Sequence, residues 1–171
     1  IFDDWSCSAE DSISNVVIDS NCDGIVSEAL IEMSDELLCV LNEANNIICK
    51  NLSLTRLFLL EGNYESLDVY KNRLCAIDIN QQVNCWNEYG TELISNSVYE
   101  HQDIAVHVDG YCGLVNNEMY CQKFEPTSEI FPSLPYQFSS IKFYEDEFNV
   151  DILCGIDTNN DFLCWGKDGF Y

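Results

Sequence analysis

The residues of this chain best suited to covalent chemistry are its ten cysteines. Eight of them form four close pairs, with nine or ten residues from one member to the other: Cys39 and Cys49, Cys75 and Cys85, Cys112 and Cys121, and Cys154 and Cys164. Each pair encloses two short apolar runs around a polar turn, which is a β-hairpin pattern. Cysteines that face each other on adjacent strands lie within reach of a disulfide. The spacing therefore predicts four disulfide-closed hairpins.

The turns explain why one pair is a residue closer than the others. Asn116-Asn117 suits a two-residue turn, because asparagine accepts the left-handed backbone angles of a tight hairpin. That turn places Cys112 directly opposite Cys121, and one extra turn residue restores the same opposition in the other hairpins. Zinc binding is the alternative use of paired cysteines, but zinc ligands are usually separated by only about two to four residues. The wider separation favours disulfides.

The two remaining cysteines, Cys7 and Cys22, stand outside this pattern. Glu32 stands ten residues after Cys22, so Cys22 lacks a hairpin partner. We predict a Cys7–Cys22 bridge by elimination. An even number of cysteines in a chain of this size predicts an oxidising compartment, and hence a secreted, extracellular protein. The motif Asn51-Leu52-Ser53 adds an expected glycan on Asn51.

A calcium site is the first candidate for metal chemistry. Its ligands would be Asp19, Asn21 and Asp23, whose spacing matches the first half of an EF-hand loop. Leu30 stands where that loop needs a bidentate acid, so the alternative is an ordinary turn in which Asp and Asn bond their own backbone. The segment 157–161 begins in the same way, and the same two interpretations apply to it. Apart from calcium, no cofactor is expected.

The sequence offers little for catalysis. His101 and His107 share an alternating segment with Asp103, so the three would face one way along a strand and offer a His-Asp-His metal cluster. Two histidines on a strand are, however, more often ordinary surface or core residues. There is no nucleophile elbow, phosphate loop or zinc-protease helix, and every cysteine has a predicted structural partner. We therefore expect that the protein is not an enzyme.

One further apolar, alternating segment precedes each hairpin and predicts an additional strand per repeat. These segments are residues 30–33, 67–70, 104–108 and 141–144. Residues 27–33 also fit a helical turn, which competes with the strand there. The first cysteines of successive pairs are 36, 37 and 42 residues apart. One such unit cannot bury both of its faces, and antiparallel sheets repeating about every 40 residues are typical of a propeller.

The fourth repeat carries a family resemblance. Cys154-Gly155-Ile156, a polar turn and Cys164-Trp165-Gly166 together resemble the regulator of chromosome condensation repeat. They are most similar to the cysteine-paired version in the ectodomains of crinkly-type plant receptor kinases. The segment 75–86 keeps the pattern, and the other two repeats depart from it after the second cysteine. The resemblance covers residues 28–169 and implies a propeller, while such propellers serve as exchange factors, inhibitors, receptors and scaffolds alike.

We therefore expect an all-β chain, folded as a small β-propeller of disulfide-stapled hairpin repeats. Four full repeats and a partial one could close as a small ring of five blades, and the alternative is an open ring that another chain completes. The chain would form a single repeat domain over residues 1–171, consisting of a partial or capping unit and four repeats: 1–27, 28–62, 63–99, 100–136 and 137–171.

Charge and composition exclude some classes of function. The net charge is −23 with only seven Lys and Arg, which excludes a general nucleic-acid binder because such proteins need a basic footprint. No apolar run approaches the ~20 residues of a membrane helix, so membrane insertion is not expected. The chain starts at Ile1 rather than methionine, as expected of a processed chain.

These features predict a non-enzymatic extracellular structural or protein-interaction module. It would bind a protein partner or itself, for instance as a subunit of a surface or filamentous assembly joined through open strand edges. The alternative is a secreted ligand-binding module, lectin-like or inhibitory, that uses loop aromatics: Trp86, Trp165, Tyr89 and Tyr136. A hydrolase with an acidic pair in the propeller mouth is a third hypothesis.

Overall fold

The computed structural model describes residues 30–54, 56–95, 97–125, 136–145, 151–166 and, for the backbone alone, 169–170. In these ranges all regular structure is β, in fifteen strands. Among the described residues there is no helix long and apolar enough to cross a membrane. The expected Cys7–Cys22 bridge, the calcium ligands Asp19, Asn21 and Asp23, and the capping unit 1–27 lie outside the described residues.

The strands form four antiparallel sheets, which we call blades 1 to 4 in chain order. Blades 1 and 2 contain β1 (Leu30–Met33), β2 (Leu37–Leu41), β3 (Ile47–Asn51), β4 (Arg56–Leu60), β5 (Tyr64–Tyr70), β6 (Arg73–Asp78), β7 (Val83–Asn87) and β8 (Glu92–Ile94). Blades 3 and 4 contain β9 (Asp103–His107), β10 (Gly110–Val115), β11 (Glu118–Lys123), β12 (Phe138–Glu145), β13 (Asp151–Asp157), β14 (Phe162–Gly166) and β15 (Gly169–Phe170). Leu30–Met33 is a strand because it pairs along its length with β2, so the helical alternative is wrong for these residues.

The central hairpin of every blade carries a disulfide. The strand registers place the two cysteines of each pair directly opposite one another. Four bridges join them, with Cα atoms 4.0 to 4.1 Å apart: Cys39–Cys49, Cys75–Cys85, Cys112–Cys121 and Cys154–Cys164. The structure thus contains the hairpin disulfides that the spacing predicts.

The hairpin turns differ in length as expected. In blade 3, Asn116 and Asn117 form a two-residue turn and both have positive φ, 52° and 67°. In the other blades the turn is longer by one residue and has a single left-handed position, with φ of 58°, 61° and 68° at Asn45, Gln81 and Asn160. A three-residue loop that ends in a left-handed residue is the next most common hairpin connection after the two-residue turn.

An Asp or Asn side chain starts each of the longer turns. Asp157 Oδ1 accepts hydrogen bonds from the backbone N–H groups of Asn159 and Asp161, at 2.8 and 2.9 Å. Asn42 and Asp78 accept the equivalent pairs of bonds in blades 1 and 2. Because the carboxylate of Asp157 is engaged by its own backbone, residues 157–161 form an ordinary turn, as the second interpretation of this segment predicts.

The first strand of each blade lies at a common axis. β1 contacts β5, β5 contacts β9 and β9 contacts β12. From β12, Lys142 reaches across the centre to Glu32 on β1 and Asp68 on β5. Small antiparallel sheets arranged around an axis in this way constitute a β-propeller, which confirms the expected fold class.

Neighbouring blades pack with a constant polarity. We call the side of a blade that carries the disulfide its cysteine face and the other side its opposite face. One apolar cluster joins the cysteine face of blade 1 to the opposite face of blade 2: Leu37, Cys39, Leu41, Ile47 and Cys49 with Leu67, Val69, Leu74, Ala76 and Trp86. A second cluster continues this order through blades 2, 3 and 4. Burial of each such aliphatic side chain contributes about 1.5 to 3 kcal/mol, so the contacts between blades are the main stabilising term.

Candidate functional site

Charged side chains meet at the propeller axis and form what we call the axial cluster: Glu32, Asp68 and Lys142. Lys142 Nζ lies 2.8 Å from Glu32 Oε2 and 2.5 Å from Asp68 Oδ1. The three residues hold equivalent positions, because each pairs with the first hairpin cysteine of its own blade. Asp68 Oδ2 also accepts the backbone N–H of Val106 in blade 3, at 2.6 Å. The cluster therefore links all four blades.

Burial controls the ionisation of the axial cluster. The side chain of Asp68 is almost completely buried, and this raises its pKa to about 6 although Lys142 opposes the shift. Burial works against the charge of Lys142, but the carboxylates of Asp68 and Glu32 raise its pKa to about 12. At pH 7 the pair is therefore charged, and acidification below about pH 6 neutralises Asp68 first.

A second charged group, the mouth cluster, lies where the first strands end: Tyr70, Lys71, His107, Glu145 and Asp151. Asp151 accepts a hydrogen bond from the Tyr70 hydroxyl, and its Oδ2 lies 2.9 Å from His107 Nε2. Lys71 Nζ lies 3.0 Å from Glu145 Oε1 and 3.4 Å from Asp151 Oδ1. These residues belong to blades 2, 3 and 4, so the mouth cluster ties the ends of three blades together.

Hydrogen bonds help to determine which groups of the mouth cluster are ionised. Burial opposes ionisation of Asp151, but the bonds from Tyr70 and His107 outweigh it and hold its pKa below the ordinary value. Burial and the bond to Asp151 raise the pKa of Tyr70, which keeps its hydroxyl a donor. The carboxylates of both clusters are thus satisfied by neighbouring blades, and this arrangement performs a structural task.

The two histidines do not come together with Asp103. His101 precedes β9 and is buried, with Nδ1 2.8 Å from the carbonyl oxygen of Tyr99. His107 ends β9 and turns to Asp151. Within the described ranges no three His, Cys, Asp or Glu side chains are placed to hold a metal ion. The His-Asp-His alternative is therefore wrong, because only one of the two histidines lies on the strand.

An exposed apolar patch, which we call the tyrosine surface, consists of Val98, Tyr99 and Tyr120. Their exposed fractions are 91%, 51% and 37%. The two tyrosine rings stack with centroids 5.2 Å apart and planes 26° apart. The Tyr120 hydroxyl donates to Glu118 Oε2 at 2.9 Å, which fixes the outer ring. The patch is thus apolar and open to solvent.

Buried hydrogen bonds hold the loop that presents this surface. Ser97 N donates to the Val83 carbonyl at 3.1 Å, and Val83 N donates back to Ser97 Oγ at 2.9 Å. His101 N donates to the Gln81 carbonyl at 2.7 Å, while its ring contacts the Tyr99 carbonyl. Burial lowers the pKa of His101 and favours the neutral ring, although the Tyr99 carbonyl opposes the shift. The loop is pinned at both ends, so Val98 and Tyr99 are displayed in a preorganised position.

Sequence reasoning missed this surface because its tyrosines belong to different elements. Tyr99 lies in the connection before blade 3, and Tyr120 lies on β11. The available signal was the Val98-Tyr99 pair, an apolar and aromatic dipeptide in an otherwise polar connection between two repeats. Stacking between the two rings depends on tertiary structure and left no periodic pattern.

The aromatics proposed for ligand binding divide into two groups. Trp86 and Trp165 lie on β7 and β14 and are only 5% and 3% exposed, so their assignment to ligand-binding loops is wrong. They are buried because each packs edge-on against an aromatic ring of its own blade, Tyr64 and Phe138 respectively. Tyr89 and Tyr136 are exposed, but they lie in blade 2 and at the start of blade 4 rather than at one site.

The expected glycan acceptor lies in an unfavourable environment. Asn51 ends β3 and is 2% exposed. Its Oδ1 accepts the backbone N–H of Leu54 at 2.8 Å, and its Nδ2 donates to the Glu88 carbonyl at 3.4 Å. A sugar on Nδ2 requires this side chain to leave its pocket, so glycosylation of Asn51 stays a prediction that the folded geometry does not favour.

Comparison with known proteins places this chain among propellers without giving it a family. No family model matches the sequence, and no curated protein matches it. The crinkly WD40 ectodomain of the Arabidopsis thaliana receptor kinase ACR4 is similar in structure, with a TM-score of 0.60 and 21% identity over 81% of this chain and 50% of that chain. Human WBSCR16 gives a TM-score of 0.62 with 11% identity over 81% and 48%. BBS1N, solved in complex with ARL6DN, gives 0.58 with 11% identity over 83% and 51%.

These similarities show the fold alone, since each identity is low. The chain spans about half the length of the three solved structures. The resemblance to crinkly-type receptor ectodomains holds at the level of the propeller, whereas the specific repeat family remains an expectation from the cysteine motifs.

Proposed function

We propose that this chain is a non-enzymatic, extracellular protein-interaction module that binds its partner through the tyrosine surface. The observation that carries the proposal is the pinned loop 97–101, which leaves Val98 and Tyr99 exposed and stacks the Tyr99 ring on Tyr120. Ordered tyrosines supply a large contact area at a small cost in conformational entropy, which is why they are enriched in recognition surfaces. Exposed apolar and aromatic patches often mark interaction sites.

The propeller neighbours and the disulfides support a protein-interaction role outside the cell. Interaction with another protein is a common use of the fold, and BBS1N was solved bound to ARL6DN. Four hairpin disulfides suit an oxidising compartment, and one structural neighbour is a receptor ectodomain. These points favour a secreted interaction module over an intracellular one.

Charge defines the kind of partner. The chain carries a net charge of −23, and the exposed acids Glu100 and Glu118 flank the tyrosine surface. A partner with an apolar or aromatic side chain at its centre and Lys or Arg around it would match both features, since complementary charge raises the association rate. We therefore expect a basic protein segment, and binding that weakens as salt increases.

The test is selection of binders from a displayed random-peptide library on the unreduced protein, followed by affinity measurements on variants. We expect selected peptides to combine aromatic or aliphatic residues with Lys or Arg. Val98→Asp should weaken their binding at least about tenfold, because it places a charge in the contact, and Tyr99→Ala should act similarly. Ile79→Asp, at another exposed apolar position (53% exposed), is the matched control and should leave binding unchanged.

A lectin-like module is the second candidate, because stacked exposed rings beside the Glu118 carboxylate also suit a sugar face. A glycan array run with the same variants separates the two functions. Glycan binding lost in Tyr99→Ala, without Val98-dependent peptide selection, would replace the protein partner by a carbohydrate. Peptides that bind all variants equally would show that the tyrosine surface serves neither of these functions.

A further inference from the structure

Blades 2, 3 and 4 begin with the same backbone contact to the blade before them. In each, a residue at or just before the start of the first strand donates its N–H to the carbonyl of a hairpin-turn residue of the preceding blade. The three bonds are 2.7 to 3.0 Å long, and each acceptor residue has positive φ: Tyr64 to Asn45, His101 to Gln81, and Phe138 to Asn117. His101 is therefore the structural equivalent of a tyrosine and a phenylalanine.

The ring of His101 is enclosed as tightly as the rings of its equivalents. Tyr64, His101 and Phe138 are 8%, 2% and 0% exposed. Phe138 lies against Gly155 and His101 lies against Gly113, and each of these glycines follows the first hairpin cysteine of its blade. A Cβ added to Gly113 would overlap the imidazole, so the ring has no room to shift toward β10.

Unlike its equivalents, His101 can gain a positive charge near neutral pH. Nδ1 lies 2.8 Å from the Tyr99 carbonyl oxygen, and because a carbonyl only accepts, Nδ1 carries the hydrogen of the neutral ring. Protonation therefore adds a hydrogen at Nε2, on the ring edge that lies against Gly113. Glycine has no side chain to accept this hydrogen. The charged ring is thus poorly accommodated in a pocket that suits the neutral one.

Burial, rather than a neighbouring charge, controls the protonation of His101. Its pKa is lowered by burial, and the opposing influence is the carbonyl of Tyr99. The rings of Tyr99 and Tyr111 pack edge-on against the imidazole, and burial raises the pKa of Tyr111 to about 12, so that its hydroxyl stays neutral. The carboxylates on the neighbouring segments bond to other groups or face solvent: Asp78 and Asp103 accept backbone N–H groups, Glu118 accepts the Tyr120 hydroxyl, and Glu100 is exposed.

We propose that His101 is a pH-dependent switch of the tyrosine surface: when the ring gains a proton it leaves its pocket, and loop 97–101 opens. In the closed loop, the backbone N–H and the ring of His101 hold the end of the loop next to Val98 and Tyr99. Because the closed loop favours the neutral ring, acidification through about pH 6.5, the ordinary histidine pKa, shifts the loop toward the open form. Return to neutral pH closes it again.

The consequence of the switch is that the partner binds at neutral pH and is released in an acidic compartment. This consequence rests on the proposed function, whereas the opening of the loop requires no partner. The two can therefore be measured separately.

Amide hydrogen exchange measures the switch in the free protein. The N–H groups of Ser97 and His101, which close the loop, should lose protection at least about tenfold between about pH 7.5 and about pH 5, after correction for intrinsic exchange rates. His101→Phe is the matched variant, because blade 4 has phenylalanine at this position, and its loop should stay protected at both pH values. The N–H of Tyr64, the equivalent contact of blade 2, should stay protected in both proteins and so exclude a general loss of structure.

Equal protection of the wild-type loop at both pH values overturns the inference, and so does an equal loss in His101→Phe. Nuclear magnetic resonance of the wild type keeps the inference testable if the variant does not fold. The ring signals of His101 should titrate with the same midpoint as the loss of protection in the loop. A loop that opens while the ring of His101 does not titrate contradicts the switch.

Peptide binding separates this inference from the proposed function. Peptides selected at about pH 7.5 should bind the wild type at least about tenfold more weakly at about pH 5, whereas His101→Phe should lose much less affinity. A loop that opens in the exchange experiment without any peptide binding supports the switch and contradicts the proposed function. Peptides that bind equally well through Val98 and Tyr99 at both pH values support the proposed function and overturn the switch.

Discussion

Asp68 is the residue whose ionisation departs most clearly from ordinary behaviour while remaining in the measurable range. It is buried at the axis between Lys142 and the backbone of Val106, and its pKa is raised to about 6 from 3.8. The folded state therefore holds a proton that the unfolded state releases between about pH 4 and 6. By linkage, this contribution favours folding below pH 4 and is lost as the pH rises through 6.

Replacement of Asp68 by Asn tests that ionisation. The amide cannot titrate, so the difference in unfolding free energy between wild type and Asp68→Asn should depend on pH. We expect the wild type to lose up to about 3 kcal/mol relative to the variant as the pH rises from 4 to 7, from about 1.4 kcal/mol per pKa unit. Urea titrations at several pH values measure the difference, and a constant difference over this range would contradict the assignment.

The sequence could not show that Asp68 is unusual. Its segment is an alternating apolar strand, and an acid there is as expected of a solvated face as of a buried centre. The neighbours that matter, Lys142 and Glu32, come from strands more than 30 residues away and meet only because the blades curve around an axis. Local patterns predict strands, whereas the charge environment follows from ring geometry.

At the scale of elements, the disulfide hairpin is the unit that the sequence predicts best. Its turn, its strands and both cysteines lie within 14 to 16 consecutive residues, so their arrangement follows from local spacing alone. The two-residue turn at Asn116-Asn117 and the longer turns elsewhere both have the left-handed residues that this logic requires. The tyrosine surface, built from a connection and a strand, lies beyond such reasoning.

Removal of one hairpin disulfide should have a local and nearly uniform cost. Cys75→Ala/Cys85→Ala should destabilise the protein by about 3 kcal/mol, since closure of a loop of this length restricts the unfolded chain by that amount. Cys39→Ala/Cys49→Ala should cost a similar amount because its loop has the same length. Thermal and urea unfolding of the double variants measure these costs, and a change below about 1 kcal/mol in both would show that the hairpins are held by packing alone.

At the scale of the whole molecule, the ring is predicted by repetition. A single sheet cannot bury both of its faces, so sheets that recur about every 40 residues must pack on one another. In the described blades, the cysteine face of one blade packs against the opposite face of the next. What repetition does not specify is the means of closure, because the axial residues break the repeat: Glu32, Asp68, Ala105 and Lys142 occupy equivalent positions with different chemistry. The contacts that hold the blades together at the axis thus depend on residues that differ from blade to blade.

Replacement of Lys142 should destabilise these axial contacts more than replacement of any other axial residue. Lys142→Met leaves Asp68 buried without its counter-charge and removes the link to Glu32, so we expect a loss of about 3 kcal/mol. The double variant Asp68→Asn/Lys142→Met should be more stable than Lys142→Met, because no buried charge remains. A double-mutant cycle in urea measures the coupling, with Glu32→Gln as a control expected to cost about 1 kcal/mol. Additive effects in the cycle would show that the pair is not coupled.

The short span of each disulfide has a consequence for how the protein is made. Every described bridge joins cysteines nine or ten residues apart. At a synthesis rate of about 5 to 20 residues per second, the second thiol of a pair follows the first within roughly two seconds. In the secreted protein proposed above, oxidation would proceed from the amino end as the chain is translocated, before the thiols of later blades arrive to compete. Correct pairing in such a chain follows from the order of synthesis, so little disulfide isomerisation is needed.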